Sequence, residues 1–340
     1  MDPLLTKSYD YALPQELIAK EPASPKTSAK LMVYNREMDT ITHTTIADIE
    51  KYLPKDCALL FNNTKVIKAR VFGRKMTGGQ IELLVNRPLE EDNLIEVFIR
   101  GKVKEGTRLK FGHGLEAEVV FLHPSGSRSV LFFEHLRTID FERLTQILDL
   151  IGHIPLPPYI DREDKQEDEN NYQSVFAEHS GAVAAPTASL HFTKELFESI
   201  TSKHAYEYIT LHVGAGTFKP VESEDITEHP MHSETYHIGS SAKELIESDK
   251  KLFAVGTTVT RTVEYYVREK SLSGEANLFL HPGNRPQRID HLLTNFHLPK
   301  STLLMLVASF VGIETMHRLY REAIEKRYRF YSYGDAVLII

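Results

Sequence analysis

The sequence predicts a mixed α and β protein of two units: a small antiparallel β domain with the pattern of a barrel, and a larger α/β layer. Three observations carry this. Short or alternating apolar runs fill the first half, turn residues separate several of them, and the second half alternates strand candidates with helix candidates. The early runs lie at 30–34, 58–61, 66–72, 80–85, 94–99, 108–111, 115–122 and 128–133, with turn signals at Gly78-Gly79, Gly112-His113-Gly114 and Pro124-Ser125-Gly126. A first helix is expected over 141–150, where Leu144, Ile147, Leu148 and Ile151 share one face. Beyond it, strands are expected at 207–212, 252–255 and 277–280, and helices at 194–202, 242–249, 258–269, 302–310 and 314–326. Periodicity alone reads as two consecutive domains, which suits 340 residues at roughly 100 to 200 per domain.

With 41% hydrophobic residues the chain can bury a large core. Its longest apolar run, 303–311, is far short of the roughly 20 residues that span a bilayer, and the N-terminus lacks the basic-then-apolar pattern of a signal peptide. No membrane partner and a cytoplasmic location are therefore expected. Cys57 is the sole cysteine, which excludes an intramolecular disulfide and a cysteine-based zinc knuckle, and within CALLF it is expected to pack in a buried strand. A net charge of −7 argues against indiscriminate coating of nucleic acid. Three stretches are nonetheless basic: Lys65, Lys68, Arg70, Arg74 and Lys75; then Arg100, Lys102, Lys104, Arg108 and Lys110; then Arg318, Arg321, Lys326, Arg327 and Arg329. Each reads as a solvated edge or as a contact to an RNA backbone. The stretch DREDKQEDENN at 161–171 has no apolar residue and reads as a mobile, solvated connector, with a lid as the alternative.

Small and polar residues collect in three later loops, GAVAAPTASLHFT at 181–193, LHVGAGTF at 211–218 and LTNFHLPKST at 293–302. Small residues let backbone approach a ligand and polar loop tips have no core to satisfy, so several such loops point to one shared site. LFAVGTTVTRT at 252–262 reads as a buried strand, a glycine turn and a helix opening at Thr257 and Thr258. Free N–H groups there favour an anion and Arg261 adds a charged fork, unless the threonines merely cap the helix. Gly214 and Gly216 invite comparison with the glycine loop of methyltransferases, but Pro220 opposes the helix that should follow, so these glycines read as admitting a base or ribose. In EHPMHSE, His229, His232 and Glu234 match no metal-ligand spacing, so no metal is expected and His232 with Glu234 is a candidate acid–base pair. His191, His212 and His297 sit in the polar loops as nucleobase partners or as satisfied structural residues. Asp335, beside Tyr331 and Tyr333, suits a cationic group or simply holds a turn.

Together with PLPPYI at 155–160 and FYSYGDA at 330–336, these strings, in this order and over almost the whole chain, resemble the bacterial S-adenosylmethionine:tRNA ribosyltransferase-isomerases of queuosine biosynthesis. The resemblance implies that the β domain, 62–152, is inserted in a discontinuous α/β catalytic domain of 1–61 and 153–340. It implies transfer and isomerisation of the ribosyl moiety of S-adenosylmethionine onto 7-aminomethyl-7-deazaguanine in the wobble position of tRNA, giving epoxyqueuosine-tRNA, adenine and methionine. S-adenosylmethionine is then a consumed substrate, no cofactor or metal is implied, and the protein is expected to act as a monomer. Such chemistry needs a base beside the sulfonium, a donor for the departing adenine and donors for the ribose oxygens. The candidate catalytic residues are His212, His232, Glu234 and Asp335. Substrate is expected at Thr187, His191, Gly214, Gly216, Thr217, Gly256, Thr257, Thr258, Arg261, Asn295, His297 and Tyr333, and tRNA at Lys65, Lys68, Arg70, Arg74, Lys75, Arg100, Lys102 and Lys104. The chain departs from the usual family spelling at Asn63, where an aspartate is commoner, at Ser189 and at Pro230, so Asn63 is given no catalytic charge. A conventional tRNA methyltransferase would need a glycine-rich strand–helix signature that is not found, and a non-catalytic RNA-binding protein would leave the polar loops unexplained.

Overall fold

The computed structural model describes residues 1–90, 92–218 and 220–340, with all of their side chains except those of Thr217 and Phe218. Its architecture follows from one strand. Cys57–Asn62 is buried along its whole length, with Ala58 and Leu60 facing one side and Cys57, Leu59 and Phe61 the other, so the sheet around it needs cover on both faces. It pairs in parallel with Tyr206–Leu211 and with Lys251–Val255, at the middle of a nine-stranded sheet. Across that sheet the order is Ser273–Ala276, Glu234–Ile238, Tyr206–Leu211, Cys57–Asn62, Lys251–Val255, His291–Asn295, Ala336–Ile339, Lys30–Asn35 and Thr40–Thr45. Helices Ser240–Glu247, Thr257–Glu269 and Thr302–Val311 cover one face, burying Ile246, Val259, Val263 and Leu304. Helix Lys194–Thr201, with Leu196 and Ile200, and the short turns Ile46–Lys51 and Thr187–His191 cover the other. Among the described residues no single helix is long and apolar enough to cross a membrane.

Strands Arg70–Lys75, Gln80–Pro88, Ile95–Arg100, Arg108–Lys110, Leu115–Leu122 and Arg128–Glu134 form the antiparallel barrel, which closes where the last two pair with each other and Arg128–Glu134 also pairs with Ile95–Arg100. Alternate residues point inward: Ile81, Leu83 and Val85, then Ile95 and Val97, then Leu115, Ala117 and Val119. Helix Phe141–Ile151 packs Leu144, Ile147 and Leu148 against this core, and its first turn is capped by Asp140, which accepts from Arg143 N at 2.8 Å.

Two expectations fail. Residues 277–280 are irregular, and the strand lies just before them at Ser273–Ala276, on the sheet edge. Apolar Leu278, Phe279 and Leu280 pack on the core from a loop, so their hydrophobicity reports burial rather than pairing. The acidic stretch 161–171 is anchored rather than loose. It contains the short helix Asp168–Asn171, and Asp168 is 2% exposed, held by both terminal nitrogens of Arg162 at 2.6 and 2.8 Å, by Lys165 N at 2.8 Å and by the Tyr333 hydroxyl at 3.1 Å. A composition without apolar residues could not show that one carboxylate would be matched so fully.

Candidate active site

Four parallel strands, Tyr206–Leu211, Cys57–Asn62, Lys251–Val255 and His291–Asn295, release their loops at one edge of the sheet. Ala336–Ile339 runs antiparallel to its neighbour, so residues 331–335 enter at the same edge. Ligands of open α/β sheets bind beyond such carboxyl ends. Two cavities lie there, and Pro220 lines both.

The first, about 130 Å³, is closed in by the loops at 184–188, 256–258, 294–299 and 331–332. Gly256 opens the helix Thr257–Glu269 with φ 99° and ψ 157°, a conformation that favours glycine, and its N–H donates to Leu293 O at 2.8 Å. No side chain caps this helix: the Thr258 hydroxyl instead accepts from Asn62 Nδ2 at 3.3 Å. Thr257 and Thr258 line the cavity, and the first turn to which they belong carries the positive end of the helix dipole. Thr187 and Asn295 complete the wall, and Asn295 Nδ2 donates to Tyr331 O at 2.9 Å and to Ser332 O at 3.3 Å. His297 is locked: Nε2 lies 2.8 Å from the Thr294 hydroxyl, its N–H donates to the Tyr320 hydroxyl at 3.1 Å, and Tyr11 donates to its carbonyl. Burial pushes His297 down to about 3, so the ring is neutral at pH 7.

The second cavity is a cleft of about 900 Å³ between the barrel and the sheet edge, within the usual range for ligand sites. Two imidazoles rest in it on glycines. A Cβ at Gly181 would lie 2.8 Å from the His212 ring, and one at Gly216 would lie 3.0 Å from His232 Cγ. His212 Nδ1 is 2.8 Å from the Thr64 hydroxyl, and burial, with the charge of His179 adding, pushes the ring down to about 4. His232 Nε2 lies 3.6 Å from Glu234 Oε1. Glu234 is 2% exposed, accepting from Gly214 N at 3.2 Å and from Arg261 Nη1 at 2.6 Å. Burial works to raise it, but Arg261, His232 and the Gly214 amide together hold it at about 2, so it is an ionised carboxylate.

Several candidates stand elsewhere. Arg261 lines neither cavity; it is 4% exposed and its guanidinium is engaged by Glu234. Asp335 is 1% exposed and accepts from Arg329 N at 2.7 Å and Lys30 N at 2.9 Å, the turn-holding alternative. Tyr333 holds Asp168, and His191 lies behind the cavity wall, pushed down to about 4 by burial and by Arg329 and Lys26 against a pull from Asn295. Thr217's side chain lies outside the described residues. The basic stretches divide: Lys68 and Arg70 pair with Glu169 and Glu82, at 2.8 and 2.7 Å, while Arg74, Arg100, Lys102 and Lys104 stay exposed. Arg74, Lys75 and Arg100 gather around Phe72, itself 48% exposed. Lys65 is exposed on Thr64–Val66, paired with His179–Ala182 beside the cleft. Among the described residues no three His, Cys, Asp or Glu side chains converge as for a metal. Sequence reasoning missed Thr64, Asn86 and the aromatic Phe72; only the exposed Phe72 between Arg70 and Arg74 left a readable signal.

Comparison with known proteins agrees along the whole chain. The model of the family described as "Queuosine biosynthesis protein" matches residues 6–339. A protein of a Nitratiruptor species, named S-adenosylmethionine:tRNA ribosyltransferase-isomerase, is 61% identical over 340 residues, covering 100% of both chains. One of the same name from Sulfurimonas denitrificans is 62% identical over 338 residues, covering 99% of this chain and 98% of the other. The crystal structure of the S-adenosylmethionine tRNA ribosyltransferase of Thermotoga maritima matches with a TM-score of 0.54 at 33% identity, over 98% of this chain and 100% of that one. With its polar loops gathered at one sheet edge and this likeness from end to end, the chain belongs to the queuosine biosynthesis protein family.

Proposed function

We propose that the protein is an S-adenosylmethionine:tRNA ribosyltransferase-isomerase, which moves and isomerises the ribosyl part of S-adenosylmethionine onto 7-aminomethyl-7-deazaguanine at the wobble position of tRNA and releases adenine and methionine. One observation carries the reading at the level of geometry: two cavities of different chemistry meet at Pro220, one built of neutral groups, the other lined by imidazoles and charged side chains. S-adenosylmethionine occupies the first, with its carboxylate on the Thr257 and Thr258 amides. The modified base enters the second, where His212, neutral at pH 7, accepts a proton and His232 works beside the fixed charge of Glu234. Glu234 and Arg261 act as support behind the imidazoles. Residues 62–152 serve as an RNA-facing insert in a catalytic unit of 1–61 and 153–340. The reading includes a cytoplasmic monomer and side-chain chemistry without a metal or redox cofactor.

Incubation with S-adenosylmethionine and tRNA bearing the aminomethyl base tests it. Adenine and methionine, with a modified tRNA, are expected; S-adenosylhomocysteine would mark a methyltransferase, and no product a binding protein.

A further inference from the structure

The barrel strand Gln80–Pro88 is irregular at one point. Val85 pairs with Val97 and Arg87 with Glu96, so Asn86 is an extra residue, a bulge. Bulges re-aim side chains, and this one turns Asn86 out of the barrel toward the turn at 214–218. Asn86 Oδ1 accepts from Ala215 N at 3.1 Å, and a Cβ at Gly214 would lie 3.4 Å from the same oxygen. The amide cannot be flipped. Its nitrogen donates to Glu96 Oε2 at 3.0 Å, and a carboxylate only accepts. Arg87 Nε holds that same oxygen at 2.9 Å and its other end pairs with Glu275 on the edge strand of the large sheet. Ala215 also packs against the barrel core.

The turn so held is not an ordinary loop. Gly214 N–H donates to Glu234, and Gly216 is the seat of His232. Resting on the reading above, we propose that Asn86 is a positioning residue for the reaction: from the barrel it fixes the turn that carries the seat of His232. Asn86 borders the cleft, but its amide is spent on Glu96 and on Ala215, so it acts through Ala215, Gly214 and Gly216.

The test uses Asn86→Ala, Asn86→Asp, and Asn86→Asp combined with Glu96→Gln. The first removes the acceptor. The second keeps it but sets two carboxylates against each other, and the combined change restores a donor facing an acceptor. At saturating substrates Asn86→Ala is expected to lower kcat about tenfold, since small misplacements at a reacting centre are costly. KM for S-adenosylmethionine should stay within about threefold, because its cavity keeps its walls. Asn86→Asp should be as slow, and the combined variant should return to within about threefold of the parent kcat, a rescue that general loss of stability would not produce. Nitrogen-15 histidine spectra, which need no substrate, should show the His232 ring signals displaced in Asn86→Ala and returned in the combined variant. An inactive parent would sink the functional reading alone, since the spectra still judge the proposal. Unchanged ring signals, single variants within twofold of the parent kcat, a combined variant no better than Asn86→Asp, or turnover that only follows the folded fraction would each overturn it.

Discussion

The enclosed cavity and the barrel cleft share a wall and treat charge in opposite ways. Around the cavity, burial keeps His297 neutral and the helix start at Gly256 supplies polarity from backbone alone. Around the cleft, a buried ion pair, Glu234 with Arg261, stands behind the imidazoles as a fixed charge. On the proposed reading, the first arrangement suits holding a ligand without offering it a proton carrier, and the second suits moving protons. The difference teaches that polar loops alike in composition are sorted into two electrostatic surroundings only by the sheet edge.

The largest effect that would sharpen this contrast is on turnover. His232→Ala is expected to lower kcat by about a hundred- to ten-thousand-fold, the usual cost of losing an acid–base group, with S-adenosylmethionine affinity unchanged by calorimetry. A fall of less than tenfold at saturating substrate moves the role to His212. Arg261→Ala comes next. Removing one partner of a buried pair typically costs about 3–5 kcal/mol, so urea unfolding should show a loss of that size while affinity for S-adenosylmethionine in the folded protein stays within twofold. Affinity lost with stability intact would return the guanidinium to the ligand. Arg261→Met combined with Glu234→Leu should restore much of the stability and none of the turnover.

A smaller effect is on stability against pH. His191 and His297 have folded values below the ordinary value of 6.5, so below about 6.5 the unfolded chain takes up protons that the native one refuses. Stability is therefore full above 6.5 and falls as pH drops toward 4, by at most about 1.4 kcal/mol per pH unit for each ring. Urea midpoints at pH 7 and pH 5 check this, and His297→Asn should flatten the dependence. The smallest effect concerns RNA. Arg74 lies opposite Gln80, six residues or ~20 Å along the strand from Asn86, with Lys75 beside it, while Arg100 stands two residues beyond Phe98 of the cleft, so the three extend outward from the cleft over a span suited to a large polynucleotide. Neutralising all three should flatten the salt dependence of log affinity by about 0.7 to 0.9 for each phosphate that the variant no longer neutralises. Lys68→Ala, already paired with Glu169, should change it less.

Much of this was legible in the sequence, for identifiable reasons. Alternation marked the barrel strands and continuous burial marked Cys57–Asn62 and Lys251–Val255. Thr40–Thr45, polar and half-exposed on the sheet edge, left no apolar signature, and in Glu234–Ile238 the short alternation of Tyr236 and Ile238 was masked by the histidines read as a loop. The gathering of Thr187, Gly256, Asn295 and His297 followed from their loops. What local sequence could not show is pairing across the fold. That Arg261 answers Glu234, 27 residues earlier, and that Asp335 answers Lys30, 305 residues earlier, depends on strand order. The same holds for Asn86, whose meaning comes from a bulge and from a loop 129 residues away.

The most direct test of the division between cavity and cleft is a crystal structure of the protein with S-adenosylmethionine bound. The ligand is expected between the 184–188 and 294–299 loops, its carboxylate on the amides of Thr257 and Thr258, with the cleft beside His212 and His232 left open to the base. Ligand seated in the cleft against His232, with the enclosed cavity empty, would contradict it.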